Sequence, residues 1–398
     1  MSTACPYCFT ILTTDELLLR CTGGCPERPD QQASAYAGYE VLTTPIYRQA
    51  ISGEVRALSP SYPCRRCKSV CTQEVCPTCH RDLPEGWKQA RVFTMAMTGP
   101  RGAGKSVYIA VMVEVLKRYA QLRACTVTPF DQLTRDNYAT LYHTPLYREN
   151  VVVEGTKELR MTKQQGGSEP LIWEVSGAGV EGRLYLVMRD VSGEDMERLA
   201  GRVPSFSFHD RADLVIFLFD PMMLDSVRQV LSGLIPDINE GRLGSASREV
   251  LPKILGLMES GHASLALTIS KFDSLHKVPQ ANNPMAPALA NPAAHFNRDD
   301  TMHRGALRGQ EAAKDLEQDL VFLDAEVRAL FDQIGERSIT MMAEQAAASG
   351  RISGIQHFTV SAVGESPKHD KQLTERGISP FRVLDPVLWG MARAGITL

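Results

Sequence analysis

One eight-residue segment, GPRGAGKS at positions 99–106, constrains this chain more than any other part of its sequence. It follows the apolar run 92–97 and precedes an apolar, helix-like pattern over 107–116. A glycine-rich turn that joins a strand to a helix and ends in Lys-Ser is typical of a loop that wraps around phosphate groups. A chance match in a glycine-rich loop is the alternative, and the strand–loop–helix context argues against it.

The residues of this segment have distinct roles in holding phosphate. Gly99, Gly102 and Gly104 let backbone N–H groups point at phosphate oxygens, and the start of the helix adds the positive end of its dipole. Lys105 can reach the outer phosphates, and the Ser106 hydroxyl can ligate Mg²⁺. We therefore predict that the chain binds a nucleoside triphosphate.

Length and charge limit the remaining function classes. The 398 residues have room for one large domain with insertions or for two or three smaller ones. The formal net charge of -3 gives no global basic field, so nucleic-acid binding is not favoured. The N-terminal residues lack the features of an export signal, and no apolar run is long enough to cross a bilayer. We expect a cytoplasmic protein that does not insert into membranes.

The cysteines are concentrated near the N-terminus. Nine of the 10 lie between positions 5 and 79, and eight of these form closely spaced pairs. The pairs are Cys5/Cys8, Cys21/Cys25, Cys64/Cys67 and Cys76/Cys79. Because tetrahedral Zn²⁺ takes four thiolates, we expect two structural zinc ions in a small region covering 1–85. Such core-poor segments need their metal to fold.

The way in which the cysteine pairs combine is open. A local combination joins the first two pairs and the last two, whereas a crossed combination takes one pair from each half. Disulfides, iron–sulfur clusters and a redox role are alternatives to zinc. The sequence from Cys76 to His80 also matches a haem-attachment pattern, which requires an exported chain.

A second loop motif follows the apolar run 184–188, which leads into Asp190 and Gly193. A carboxylate at the end of a strand can hold Mg²⁺ through water, and a glycine leaves its N–H free to meet a terminal phosphate. Its position downstream of the phosphate loop makes this short motif informative.

A third motif predicts the base. The apolar run 265–269 leads into Ser270, Lys271 and Asp273. A carboxylate at Asp273 can accept hydrogen bonds from guanine N1–H and from the exocyclic amine, whereas adenine offers neither. Lys271 is expected to lie against the base and the phosphate loop. A surface Lys and Asp after a strand is the alternative interpretation.

A last strand, 355–360, runs into Ser361 and Ala362, whose backbone N–H can meet the guanine carbonyl. This ordered series of loops, each after an apolar strand, resembles the Ras-like, translation-factor-related class of P-loop GTPases over residues 91–398. The zinc-knuckle N-terminus and long insertions look like those of bacterial double-GTPase proteins, which are associated with multi-gene conflict or signalling systems.

The resemblance implies the architecture. It predicts an α/β fold, a three-layer P-loop NTPase sandwich with a mostly parallel sheet, over 91–398. Insertions are expected at about 122–170 and 277–350, and the zinc-knuckle region over 1–85 precedes this domain.

Three positions depart from the pattern of this class. Ser270 replaces the usual Asn or Thr, which weakens the link between the base loop (270–273) and the phosphate loop. Glu194 stands where these enzymes carry a water-positioning Gln, and its carboxylate can orient water but also repels the terminal phosphate. Arg101 lies inside the phosphate loop, where it can crowd an incoming arginine finger or act as an internal one. Lys105, Glu194 and Arg101 are the predicted catalytic residues.

The switch threonine that senses the terminal phosphate is expected between positions 122 and 171. Thr162 is the first choice and Thr156 the second. An ordinary loop threonine is the alternative for both.

The second insertion has two parts. Residues 281–305 are rich in Asn, Pro and Ala without a regular period, and we expect a mobile segment. The apolar residues that follow have helical spacing and predict an amphipathic helix packed on the sheet. They are Leu316, Leu320, Leu323, Val327, Leu330 and Ile334.

These features predict a Mg²⁺-dependent guanine-nucleotide switch that binds GTP and GDP, hydrolyses GTP slowly and contacts protein partners through its switch loops and zinc region. One alternative is a nucleotide-dependent scaffold that does not hydrolyse, for which Glu194 is the distinguishing feature. Another is an ATPase that recognises nucleic acid through its zinc knuckles, against which Asp273 and the low net charge argue.

Overall fold

The cysteine-rich N-terminal part consists of short strands joined by tight turns. The computed structural model describes residues 3–52, 57–150, 169–201, 203–235, 246–307, 310–365 and 377–398. The N-terminal elements are β1 (Thr3–Ala4), β2 (Ile11–Leu12), β3 (Glu16–Arg20), β4 (Arg28–Pro29), helix α1 (Gln31–Ala37), β5 (Leu42–Thr43), β6 (Ile46–Ala50), β7 (Tyr62–Pro63), β8 (Val70–Cys71) and β9 (Gln73–Glu74). Strand β3 pairs antiparallel with both β6 and β9, which brings the first and last parts of this region together.

A seven-stranded sheet forms the centre of the rest of the chain. Its strands are β10 (Arg91–Thr98), β11 (Cys125–Pro129), β12 (Leu171–Gly177), β13 (Leu184–Asp190), β14 (Leu214–Phe219), β15 (Ser264–Ile269) and β16 (Gly354–Thr359), in the spatial order β11-β12-β13-β10-β14-β15-β16. Strand β12 is antiparallel to both neighbours, and the five strands from β13 to β16 in that order are parallel. Parallel strands end at the same edge of the sheet, so the loops that follow them meet there.

Helices cover both faces of this sheet. They are α2 (Lys105–Leu122), α3 (Gln132–Tyr138), α4 (Thr144–Tyr147), α5 (Gly193–Arg198), α6 (Phe208–Arg211), α7 (Asp225–Val230), α8 (Ser247–Leu257), α9 (Phe272–Leu275), α10 (Ala286–Leu289), α11 (Thr301–Ala306), α12 (Glu311–Gln333), α13 (Arg337–Ala348) and α14 (Asp385–Arg393). Every residue of β14 and β15 is buried, and since successive strand residues face opposite sides, both faces are covered. The predicted three-layer α/β fold is confirmed. Among the residues described, no helix combines the length and apolar character needed to cross a bilayer.

The long helix of the second insertion forms where the spacing predicts it. Helix α12 buries five of the six predicted apolar positions within its bounds, and Ile334 is buried directly after its last residue. It packs against β16 at the edge of the sheet. The amphipathic pattern therefore marks a core-facing helix.

The expectation of a mobile segment at 281–305 is wrong. This stretch contains α10, a 3₁₀ turn at His295–Asn297 and α11. Its Arg304 is 1% exposed and lies 3.3 Å from Asp385 Oδ1 and 3.1 Å from Asp319 Oδ2. A buried guanidinium needs such partners, and the network ties the segment to the core without any apolar period in the sequence.

Candidate nucleotide-binding site and metal centres

The phosphate loop connects β10 to α2 in the predicted position. Gly99, Gly102 and Gly104 have φ values of 142°, 80° and 88°. Residues with a Cβ rarely adopt this region of backbone conformation. A Cβ on Gly99 would also lie 2.6 Å from the backbone oxygen of Leu218 in the neighbouring strand. The glycines therefore allow both the turn of the loop and its close contact with the sheet.

Lys105 is held within this loop. Its Nζ donates hydrogen bonds to the backbone oxygens of Gly99 at 2.9 Å and Pro100 at 3.0 Å. Burial lowers the pKa of Lys105 to about 8, and the nearby carboxylates of Asp190 and Glu197 act in the opposite direction. The ammonium group is thus a preorganised positive charge at the phosphate loop.

Ser106 and Asp190 form the candidate magnesium site. Both side chains are buried, and the Ser106 hydroxyl hydrogen-bonds to the Asp190 carboxylate. Burial raises the pKa of Asp190 to about 6, opposed by the charge of Lys105 and by hydrogen bonds from Tyr142 and Ser106. A hydroxyl and a carboxylate brought together at a helix start are the oxygen ligands that Mg²⁺ prefers, so the residues fit this ion.

Tyr142 is a member of this site that the sequence did not reveal. Its hydroxyl donates to Asp190 Oδ2 at 3.2 Å. It projects from a π-helical turn, Ala139–His143, in the first insertion. Tyr138, at the start of this turn, donates to the backbone oxygen of Ala110 at 2.8 Å and so ties the turn to α2. No local motif marks this contact, because the tyrosine lies in an insertion far from Asp190 along the chain.

Helix α5 lies against the phosphate loop. A Cβ on Gly193 would be 2.4 Å from Arg101 N, so only glycine fits here. Glu194 Oε1 is 3.6 Å from Arg101 Nε, and Glu197 Oε1 accepts a hydrogen bond from Arg101 N at 2.9 Å. The structure therefore brings together Arg101 and Glu194, two of the predicted catalytic residues, and adds Glu197.

The base loop is built from the ends of β15 and β16. Asp273 is buried, and its Oδ1 accepts a hydrogen bond of 2.6 Å from Ser361 Oγ. Lys271 has a φ of 51°, and its Nζ lies 2.6 Å from Asp220 Oδ2 at the end of β14. Ser270 Oγ donates to the backbone oxygen of Phe219 at 3.1 Å. The bond from Ser361 holds the Asp273 carboxylate, and the other two contacts tie its loop to the end of β14.

The other predicted residues are only partly located. Ala362 directly follows Ser361, whose backbone pairs with that of Phe381 through two hydrogen bonds of 3.0 Å and 2.8 Å. That pairing fixes the loop in which the predicted Ala362 N–H lies. Thr162 and Thr156 lie outside the described residues.

The eight paired cysteines form two groups of four. The first cluster is Cys5, Cys8, Cys76 and Cys79, and the second is Cys21, Cys25, Cys64 and Cys67. The local combination is therefore wrong, and the crossed one is found, because the pairing of β3 with β9 brings the two ends of the region together.

The geometry of both clusters fits zinc. The sulfur atoms of each cluster lie within 4.8 Å of one another. The pairs Cys5–Cys79 and Cys8–Cys76 are separated by 3.8 Å and 3.5 Å, and Cys21–Cys67 and Cys25–Cys64 by 3.5 Å and 3.6 Å. A tetrahedral Zn²⁺ with Zn–S bonds of about 2.3 Å requires sulfur separations of about this size.

One curated protein is similar to the chain over nearly its whole length. It is a protein of Mycolicibacterium smegmatis named "Putative ESX-1 scaffolding and assembly protein SaeC". The two are 34% identical over 397 residues, which cover 98% of this chain and 99% of that protein. No protein-family model matches the chain.

Solved structures of GTPase domains are more distant. The Saccharomyces cerevisiae Ski7 GTPase-like domain bound to GTP has 10% identity and a TM-score of 0.32, with 78% of this chain matched to 51% of that one. This chain thus spans about half the length of the Ski7 chain. The G domain of the Thermotoga maritima FeoB iron transporter has 13% identity and a TM-score of 0.18, with 47% of this chain matched to 77% of that one. Superpositions this poor add nothing to the strand order and loop positions described above.

Proposed function

The chain belongs to the SaeC family, and we propose that it acts as a Mg²⁺-dependent guanine-nucleotide-binding switch that hydrolyses GTP slowly. The base loop is the observation that carries this proposal. Asp273 is buried, held by Ser361, and follows a strand of the same parallel sheet that carries the phosphate loop. A carboxylate in this position accepts two hydrogen bonds from guanine, whereas adenine would leave the charge unpaired.

Equilibrium binding of GTP, GDP and ATP in the presence of Mg²⁺ tests this assignment. The wild type is expected to prefer guanine nucleotides, and Asp273→Ala is expected to lose at least about 100-fold in guanine affinity because a buried charged acceptor is removed. Asp225→Ala, at an exposed position at the start of α7, is the matched control. Equal or tighter ATP binding by the wild type would contradict the proposal and favour the ATPase alternative.

In the proposed reaction, a water molecule oriented by a residue of α5 attacks the terminal phosphate. In this proposal Glu194 orients the water, and its Oε1 lies 3.6 Å from Arg101 Nε, which helps to hold the carboxylate in position. Bound Mg²⁺ would neutralise developing phosphate charge, and Ser106 and Asp190 are the residues that would hold it. Without a Gln at position 194 we expect turnover to be slow.

A nucleotide-dependent scaffold that does not hydrolyse is the second candidate. It is favoured by the Arg101–Glu194 contact, which engages both side chains with each other, and by the scaffolding role in the name of the M. smegmatis relative. Phosphate release by the wild type and by Glu194→Gln separates the two. Slow release that changes in the variant supports hydrolysis, whereas no release by either protein supports the scaffold.

We further propose that protein partners bind through the zinc region. A cleft of about 370 Å³ lies in the cysteine-rich region, and Arg28, Arg66 and His80 are among its lining residues. Asp30, which also lines the cleft, is paired with His80 at 2.7 Å and accepts a hydrogen bond from Thr43 at 2.9 Å. The two arginines therefore give the cleft a positive character that suits a carboxylate-bearing segment of a partner. A scaffolding or assembly role, as in the name of the relative, needs such a surface.

A further inference from the structure

The segment after Asp190 is packed directly on the phosphate loop. Helix α5 begins at Gly193, whose missing side chain lets its backbone touch the backbone of Arg101. A Cβ at this position would lie 2.4 Å from Arg101 N and 2.6 Å from Arg101 Cα. The two loops predicted to enclose the terminal phosphate are therefore in van der Waals contact.

One turn further along α5, a carboxylate engages the phosphate loop itself. Glu197 Oε1 accepts the Arg101 N–H at 2.9 Å. Backbone N–H groups of such loops are the donors that bind phosphate oxygens. Glu197 thus bonds to a donor group of the phosphate loop in the way that an anionic ligand oxygen would.

The charge of Glu197 also extends beyond this hydrogen bond. The Arg101 N–H that its carboxylate accepts belongs to the same loop as Lys105, which lies four residues further along the chain. Glu194, on the same helix, lies 3.6 Å from the Arg101 side chain. Two carboxylates of α5 therefore face the cations of the phosphate loop, and any added phosphate charge is repelled by them.

The opposite side of α5 is attached to α8. The Lys253 side chain of α8 donates a hydrogen bond to the backbone oxygen of Glu197, and Met196 is completely buried. Glu197 therefore bridges two elements: its backbone oxygen is bonded to α8, and its side chain is bonded to the phosphate loop. For an anion to accept the hydrogen bond of the Arg101 N–H, the Glu197 side chain must rotate away or α5 must move relative to α8.

We propose that Glu197 competes with the terminal phosphate for the Arg101 N–H and sets the preference of the site between nucleoside diphosphate and triphosphate. This inference rests on the proposed nucleotide-binding function and specifies how that site is regulated. A diphosphate leaves Glu197 on the loop, whereas a triphosphate displaces it and shifts α5 from its position on α8.

The test is the ratio of GTP to GDP affinity, measured with fluorescent analogues of both nucleotides and the full-length, zinc-loaded protein at fixed Mg²⁺. Glu197→Gln removes the charge and keeps the shape, and Glu197→Ala removes both. We expect each to raise triphosphate affinity about tenfold, with less than about a twofold change for diphosphate, because roughly one charge–charge repulsion is removed. Asp195→Asn makes the same change of charge on the same helix and is expected to leave the ratio unchanged.

The outcomes separate this inference from the function on which it rests. If the wild type binds both nucleotides and neither Glu197 variant changes the ratio, the inference is overturned and the proposed function stands. If the wild type binds no nucleotide and the variants bind none, both are overturned. If nucleotide binding appears only in the Glu197 variants, the competition is supported in its strongest form.

Discussion

The two zinc clusters have the same four thiolates and different surroundings. Cys5 and Cys8 of the first cluster are fully buried in the same hydrophobic core as the central sheet. The second cluster belongs to a separate small core with Leu19, and its Cys67 is exposed. The comparison shows that the same set of four cysteines occurs in two settings, one inside the core that contains the central sheet and one in a small core of its own.

A single strand residue connects the first cluster to the nucleotide site. Arg189 precedes Asp190 in β13, and adjacent strand residues point to opposite faces. The Arg189 side chain donates to the backbone oxygen of Tyr7, between Cys5 and Cys8, and its guanidinium lies 4.0 Å from the ring centre of Phe208. Substitutions in the first cluster should therefore disturb Asp190, the candidate magnesium ligand, whereas substitutions in the second cluster should not.

The largest effect is expected for Cys8→Ser. Loss of the first zinc ion removes a metal from the shared core. We expect the free energy of unfolding to fall by roughly 4 kcal/mol or more, and nucleotide binding to be lost as well. Thermal unfolding, zinc content and GDP affinity measure this. An unchanged melting temperature with one zinc ion lost would show that the first cluster is as peripheral as the second.

Arg189→Met should come next. This substitution keeps much of the side-chain volume and removes the hydrogen bond and the cation–π contact. We expect the free energy of unfolding to fall by about 3 kcal/mol. Arg211→Met is the control, because Arg211 donates to Thr10 Oγ1 at 2.8 Å on the same cysteine turn without being adjacent to Asp190. We expect Mg²⁺-dependent nucleotide affinity to fall for Arg189→Met alone, and an equal fall in both variants would refute the specific connection.

Cys64→Ser should have a smaller and local effect. We expect the zinc content to fall by one ion and the main unfolding transition to lose less than about 2 kcal/mol, because the second cluster has its own core. Guanine-nucleotide affinity should stay within about twofold of the wild type. A larger loss of nucleotide affinity would mean that the two clusters fold as one unit.

The smallest effect on stability is expected for the double variant Arg28→Ala/Arg66→Ala. Both side chains are exposed, so stability should change by less than about 0.5 kcal/mol. Binding of a fluorescent acidic peptide with a free carboxyl terminus should nevertheless weaken about tenfold. Arg65→Ala is the control, since Arg65 donates to Tyr62 Oη at 3.0 Å instead of lining the cleft. Preferential binding of single-stranded RNA would favour the nucleic-acid alternative.

The positions of the loops that form the candidate nucleotide site could be predicted because their motifs are local. The phosphate loop, Asp190 with Gly193, and Asp273 each follow an apolar strand, and parallel strands bring such loops to one edge. The strands before these loops, β10, β13 and β15, all lie in the parallel part of the sheet. The extra edge strand β11 and the π-helical turn that follows it have no such marker.

Other features escaped prediction because polar contacts between distant segments leave no period in the sequence. The segment around Arg304 looked like an irregular insertion because it has no apolar period. It is held instead by Arg304, which is buried among carboxylates. Tyr142 reaches Asp190 across 48 residues of chain, from a segment without a motif.

By itself, the sequence determined which chemical groups this protein brings together: a glycine-rich turn that ends in Lys-Ser, a carboxylate at Asp273 after a parallel strand, and two sets of four cysteines. These depend on residue type and short spacing, which are local properties of the chain. The tertiary structure alone decided the crossed combination of the cysteine pairs, the contact of Tyr142 with Asp190, and the hydrogen bond from Arg101 to Glu197. Each of these requires two segments to meet in space, and that meeting is set by strand pairing and packing of the whole fold.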